Sequence, residues 1–417
     1  MLKEPPRYSI AERDRRWNLA RDLMDDEGVQ ALVVYGEHEM VYPAPYAPDT
    51  YFTNDRPGAI VVFPRDADPI VLVGTPMTIG DHIEAQRRGE ATWITPGNMR
   101  VARHPEGVVQ VLREHGLEQA AIGVLGIDPC PPWHFVPIMP HAYWAAMTEH
   151  LPHATFKGVY RPFYARTSAQ SAEELAVLAY AAEAGEAVAH AMLTVARPGA
   201  TDAEVCAAGT AEALRRGVMI APMIINSGPG TISWGMPGWS YRPQAPRVLA
   251  EGDIVLAEVM CFYGMKETQH QVAIAIGEVH RDAVRAATVA RASYEAGLQA
   301  LRPGRRFGEV VEAMRAPLDE AGGWNVHPLI HALNPFGPVC GWGAGMRARP
   351  EAVSYGLITE VPTIGAEVPL APGMSFSLEP NCVVGDHTVN LGGTVVVGDH
   401  EPVEHNPFTA RLLQTEG

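Results

Sequence analysis

Apolar residues along the first 160 positions switch between helical and strand spacing. "ERDRRWNLARDLMDDEGV" has apolar positions at helical intervals and ends at Gly28, which predicts a helix. "QALVVYG" reads as a short buried strand, "GAIVVFP" and "PIVLVG" as a strand pair joined by the polar turn "RDAD", "GVVQVLREHGL" as a helix, and "AAIGVLG" as a further strand. The pattern predicts an N-terminal α/β domain over 1–163 and a second domain over 164–417, the boundary falling near Tyr164, where Pro, Arg, Ser and Thr cluster. A length of 417 residues also favours two domains over one core.

The second part carries an internal repeat. "LTVARPGATDAEV" (193–205) and "LQALRPGRRFGEV" (298–310) share Arg-Pro-Gly and Glu-Val at a constant offset of 105 residues. Each lies between two helical patterns, and strands follow. Two α-plus-β halves related by a pseudo-twofold would bring their sheets together around a pocket. The predicted class is therefore α+β: duplicated halves around a curved antiparallel sheet, with a smaller α/β domain in front.

Within the strands of these halves, polar residues interrupt apolar runs. Glu258 stands in "IVLAEVM" and Glu379 in "MSFSLEP". A carboxylate in a buried strand is costly unless it is paired, protonated or bound to a cation. Such a Glu is often one side of a salt bridge, but two at equivalent places in two halves point to one shared site. If "CFYGMK" is a hairpin turn, period-2 alternation places Glu267, Gln269 and Gln271 on one face and His270 on the other. "HPLIH" sets His327 and His331 four apart, without the Glu that follows the first His in helical zinc proteases. "NSGPGTISW" gives a tight turn with Trp234 as an apolar or cation–π wall, and lacks the lysine of a phosphate loop.

Composition narrows the partners. The net charge of −16 disfavours nucleic acid. No apolar run reaches the roughly 18 residues of a membrane span, and the N-terminus lacks a secretory apolar region, so the cytoplasm is the expected location. Five scattered cysteines without a CxxC pair argue against a disulfide framework or structural zinc.

The words "SAEEL", "RPGATDAEV", "SGPG", "GDIVLAEV", "LAPGMSFSLEP" and "VNLGGTVVV", in this order, resemble the M24 peptidases of the pita-bread fold, which include methionine and Xaa-Pro aminopeptidases, prolidase and creatinase. The resemblance covers roughly 165–410, and the preceding domain is similar to that of creatinase and the proline peptidases. The family's metalloenzymes hold two metals with Asp, Asp, His, Glu and Glu. By resemblance those positions fall here on Glu258, Gln269, His327 or His331, Glu379 and Gly392, and Trp234 replaces a family histidine.

Two divalent ions would be under-neutralised by such a set. The expectation is therefore no metal and no cofactor, a bound metal being at most one divalent ion such as Mn, Fe, Co or Zn. The function expected is a metal-independent, creatinase-like hydrolase cleaving a C–N bond of a small polar substrate, with a cationic one favoured. His327, His331, Glu379 and Glu258 would be catalytic; Gln269, Trp234, Glu267 and Gln271 would bind substrate. The alternatives are a single-metal Xaa-Pro-type aminopeptidase, a lyase on the same fold, or a non-catalytic binding protein. The resemblance implies a homodimer. The Gly- and Pro-rich segment 334–368 fits no helix pattern and reads either as an insertion that shapes the pocket or as a surface loop.

Overall fold

The computed structural model describes residues 4–36, 48–128, 139–230, 234–334, 339–341 and 363–415. Most of segment 334–368 and Cys130 lie outside these residues. The chain divides into two compact units, 6–173 and 174–417, the latter with 1–5. Among the described residues no helix is long and apolar enough to cross a membrane.

The first unit contains α1 (Ile10–Glu27), β1 (Ala31–Tyr35), α2 (Pro48–Thr53), β2 (Ile60–Pro64), β3 (Ile70–Val73), α3 (Pro76–Arg87), β4 (Met99–Val101), α4 (Pro105–Glu114), β5 (Ala121–Leu125), α5 (His141–Glu149), β6 (Thr155–Gly158) and α6 (Tyr160–Thr167). The strands form one sheet in the order β4-β3-β2-β1-β5-β6. Ser9 caps α1 by accepting from the Glu12 amide, and Gly28 ends it at φ 67°, a left-handed conformation cheap only for glycine. Every residue of β1 is buried, because its even and odd positions enter separate apolar clusters on the two sheet faces.

The second unit begins with α7 (Ala172–Val195), α8 (Asp202–Arg215), β7 (Met219–Ile220), β8 (Ile224–Gly228), β9 (Ile254–Tyr263) and β10 (Lys266–Ala275). It continues with α9 (Arg281–Ala300), α10 (Phe307–Ala321), β11 (Ile330–Leu333), β12 (Cys340–Gly341), β13 (Ser375–Leu378), β14 (Asn381–Val384), β15 (His387–Asn390), β16 (Gly392–Val396), β17 (Val403–Glu404) and β18 (Leu413–Gln414). Its ten-stranded sheet runs β12-β11-β13-β16-β10-β9-β7, with β8 also on β9, and β14–β15 form a separate hairpin.

The repeat is visible in backbone detail. Gly199 and Gly304 close the two helix–helix turns at φ 87° and 82°. The Gly199 amide donates to Leu249 and the Gly304 amide to Leu370, at 2.9 and 2.8 Å. Leu249 stands nine residues before Glu258, as Leu370 does before Glu379. The two glutamates therefore occupy equivalent places in the two halves.

The β9–β10 hairpin turns at Gly264 and Met265, both at positive φ (51° and 58°), the signature of a tight two-residue turn. One face of the hairpin is apolar: Val255, Ala257, Val259, Val272 and Ile274 pack with Val188 and Ala189 of α7. His270 is on that face, held neutral by burial, which lowers its pKa to about 3. A Cβ added at Gly185 of α7 would come within 1.6 Å of the His270 Nε2, so glycine is what admits the imidazole. Gly185→Ala is expected to destabilise the fold by about 1–3 kcal/mol through overpacking. Urea unfolding checks this, and an unchanged midpoint would show that the imidazole moves aside freely.

Candidate functional site

The opposite face of the same sheet is polar, and strand register builds it. Gln271 stands directly across from Glu258, and Gln269 from Met260, in the β9–β10 pair. His331 of β11 faces Ser377 of β13, and Ser377 faces Thr394 of β16. Gln271 pairs with Gly392 on the other side. Alternation then puts Glu258, Glu267, Gln269, Gln271, His331, Ser377 and Thr394 on one face. Glu379 follows β13 on the same parity, its amide donating to Leu329 at 2.9 Å.

These side chains form a continuous hydrogen-bonded chain. The Gln269 amide nitrogen donates to Glu267 Oε1 at 2.8 Å. Gln269 Oε1 lies 3.0 Å from His331 Nε2, which is also 3.4 Å from Glu379 Oε1. The Gln271 amide nitrogen donates to Glu379 Oε2 at 2.9 Å and to Glu258 Oε1 at 3.1 Å. Gln271 Oε1 accepts from Asn390 at 2.7 Å, so that amide is fixed from both ends. His331 Nδ1 lies 3.0 Å from the Ala332 carbonyl. Both ring nitrogens thus face oxygen acceptors.

His327 precedes β11 in the chain. Its Nδ1 lies 3.1 Å from both the Pro328 carbonyl and the Asn381 amide nitrogen, and 3.9 Å from Glu379 Oε1. Trp234 stacks on it, ring centroids 4.5 Å apart at 12°. His327 Nε2 and Glu267 Oε2 are buried without a hydrogen-bond partner among the described residues.

Burial sets the electrostatics. It pushes the Glu258 carboxyl up to about 7, with Glu379 adding to the rise and His327 and Gln271 opposing it. It raises Glu267 to about 8, against the Gln269 hydrogen bond, and the other two carboxylates add to the rise. Glu379 rises to about 7 by burial, with His331 opposing. Burial lowers His327 to about 4, so this ring is neutral at pH 7. Glu258 and His327, each 7% exposed, are the most accessible of these groups, which puts the approach beside the partly exposed Trp234.

All eight residues singled out in the sequence therefore meet in one network. Sequence reasoning missed Asn381, Asn390 and Thr394. Thr394 Oγ1 accepts from the Gln269 amide and donates to its carbonyl, holding that strand position in place. Asn381 and Asn390 bound a short hairpin, where an asparagine reads as a turn residue. Only their tertiary contacts mark them.

The model of metallopeptidase family M24 matches residues 176–399. The probable dipeptidase PepE of Mycobacterium tuberculosis is 30% identical over 188 residues, 44% of this chain and 43% of that protein, so the chain matches less than half the length of this curated relative. Among solved structures, dipeptidase PepE from Mycobacterium ulcerans superposes with a TM-score of 0.69 at 20% identity, covering 98% of this chain and 99% of that one. X-Pro aminopeptidase from Thermotoga maritima gives 0.71 at 14% identity, covering 95% and 99%. At these identities the structural likeness shows the fold.

The family match corrects one expectation. A metallopeptidase family makes a divalent metal the implied cofactor, so the expected absence of any cofactor does not stand. The residues on this face do not fit a metal pair as they are arranged. Gln269 is a neutral amide, and Gln271 fills the space between Glu258 and Glu379 with its own nitrogen. At Gly392, φ is 117° and a Cβ would meet the Leu378 carbonyl at 2.0 Å, leaving no room for a ligand side chain. The pita-bread fold and the matched span, which is more than half of the chain, still give one answer on kinship: this chain belongs to metallopeptidase family M24.

Proposed function

We propose that this chain hydrolyses a C–N bond of a small polar substrate that carries a positive charge. One observation carries this reading: three buried carboxylates share a sheet face with one imidazole whose two ring nitrogens both face oxygen acceptors and a second, neutral imidazole whose Nε2 has no hydrogen-bond partner among the described residues. A cationic group on the substrate would favour the ionised Glu258 carboxyl against the burial, and the neighbouring Glu379, that raise its pKa.

In this reading Glu258 and Glu379 receive the cationic group at the Trp234 end. His327 takes a proton from the attacking water through Nε2, and the hydroxyl adds to the carbon of the C–N bond. His331, turning from Gln269, gives a proton to the departing nitrogen as that bond breaks. Gln269 and Gln271 hold the carboxylates in register. A second reading, an Xaa-Pro-type peptidase, draws on the likeness to the X-Pro aminopeptidase of Thermotoga maritima.

The test is a panel of Xaa-Pro dipeptides, other dipeptides and proline-free cationic amides. Amine release is followed both with added Mn2+ and after chelation. Turnover of cationic amides without proline supports the first reading, turnover confined to Xaa-Pro the second, and no amine release under either condition overturns both. With a turned-over substrate, His331→Ala and His327→Ala should each lower kcat by about 10²–10⁴. Retained turnover in folded variants would remove these roles.

The raised carboxyls also make stability depend on pH. A folded-state pKa above the unfolded one means that the folded chain binds more protons, so stability is lost as pH rises through the folded value. For Glu267 that window runs from about 4.5 to about 8. Glu267→Gln removes this titration. Its unfolding free energy relative to the parent protein should rise by up to about 1.4 kcal/mol per pH unit across that window. Urea unfolding of both proteins from pH 5 to 9 reads the difference, and a pH-independent gap would show that Glu267 ionises normally.

A further inference from the structure

A second constellation lies outside the face just described. His280 is the N-cap of α9, its Nδ1 accepting from the Asp282 amide at 3.3 Å, and Asp282 sits in the first turn. His387 opens β15, in the hairpin that packs against α9. The His280 and His387 rings stack with centroids 4.2 Å apart at 18°. One ligand-type atom from each of the three side chains lies within 4.8 Å of the other two, and no other trio of His, Cys, Asp or Glu among the described residues does so. His387 Nδ1 is buried without a hydrogen-bond partner among the described residues.

We propose that His280, Asp282 and His387 bind one divalent transition-metal ion. Two imidazoles and one carboxylate are a donor set suited to Zn2+, Ni2+ or Cu2+ rather than to Mg2+ or Ca2+, which prefer oxygen. Three protein ligands leave the remaining coordination positions to water, as the exposure of His280 permits. The dipole at the N-terminus of α9 opposes a cation only weakly, and the Asp282 carboxylate supplies the counter-charge. Gly385, in the turn before His387, lies beside the Asp282 carboxylate, where an added Cβ would stand 3.4 Å from Oδ2, an ordinary contact. The ion would tie the hairpin tip to α9. The two ends of that hairpin carry Asn381 and Asn390, the partners of His327 and Gln271.

The experiment is calorimetric titration of the chelator-treated full chain with Zn2+, with Mg2+ as control, on the parent protein and on His280→Ala, His387→Ala, Asp282→Asn and Glu379→Gln. Thermal melts with and without Zn2+ accompany it. One equivalent of Zn2+ should bind at this site, at least about tenfold more weakly in each of the first three variants and unchanged in Glu379→Gln. Zn2+ should raise Tm by at least about 2 °C in the parent and not in His387→Ala. Absence of Zn2+ binding in the parent, or binding lost in Glu379→Gln but kept in His387→Ala, overturns the proposal. Neither result bears on hydrolysis, which the substrate panel tests separately.

Discussion

The Gln271 amide, reaching two buried carboxylates with one nitrogen, is the contact on which the polar face depends. Glu258 stands in β9 and Glu379 just after β13, and both are buried. Without a donor between them, each would repel the other in a medium that screens poorly. Gln271 reaches both because of register. It opposes Glu258 on one side and Gly392 on the other, and its amide nitrogen also reaches Glu379. Asn390 then fixes the amide from its carbonyl end. A single amide rotamer thereby couples strands β9, β10 and β15 with the end of β13.

The duplicated architecture explains why two glutamates meet at all. The turns at Gly199 and Gly304 anchor equivalent strands in the two halves, so residues at equal distances along those strands approach one another across the centre of the sheet. What is repeated is backbone; what differs is chemistry. Half two adds His327 and His331 ahead of its glutamate, and half one adds Gln269 and Gln271 after its own. The face is thus polarised, with imidazoles at the β11 edge and amides on β10, and Glu379 touches both kinds of group.

Much of this was legible in the chain. The Arg-Pro-Gly repeat marked the duplication, and period-2 alternation placed Glu267, Gln269 and Gln271 together, because a strand has only two faces to choose between. His327 and His331 are separated in role by local backbone: Pro328 ends the loop that carries one, and β11 carries the other. Four-residue spacing alone could not distinguish them. The bridging role of Gln271 was not legible either. It depends on strand register, a long-range property. Gly185 is another such case, since its reason is an imidazole on a distant strand.

The disagreement between kinship and residues is best understood as competition for one volume. A metallopeptidase family implies a cation at the carboxylates; here amide nitrogens stand between them, supplying partial charge with fixed direction. An amide dipole does not offset the burial of three carboxyls, and burial pushes Glu258 and Glu379 up to about 7 and Glu267 to about 8. Whatever cation enters this face must displace the carboxyl protons as well as satisfy the oxygens. Binding of any positive group is therefore coupled to proton release near neutral pH. A positive group entering this face would gain most at Glu258, the carboxylate nearest the approach, and least at Glu267, which is fully enclosed and already satisfied by the Gln269 amide at one oxygen.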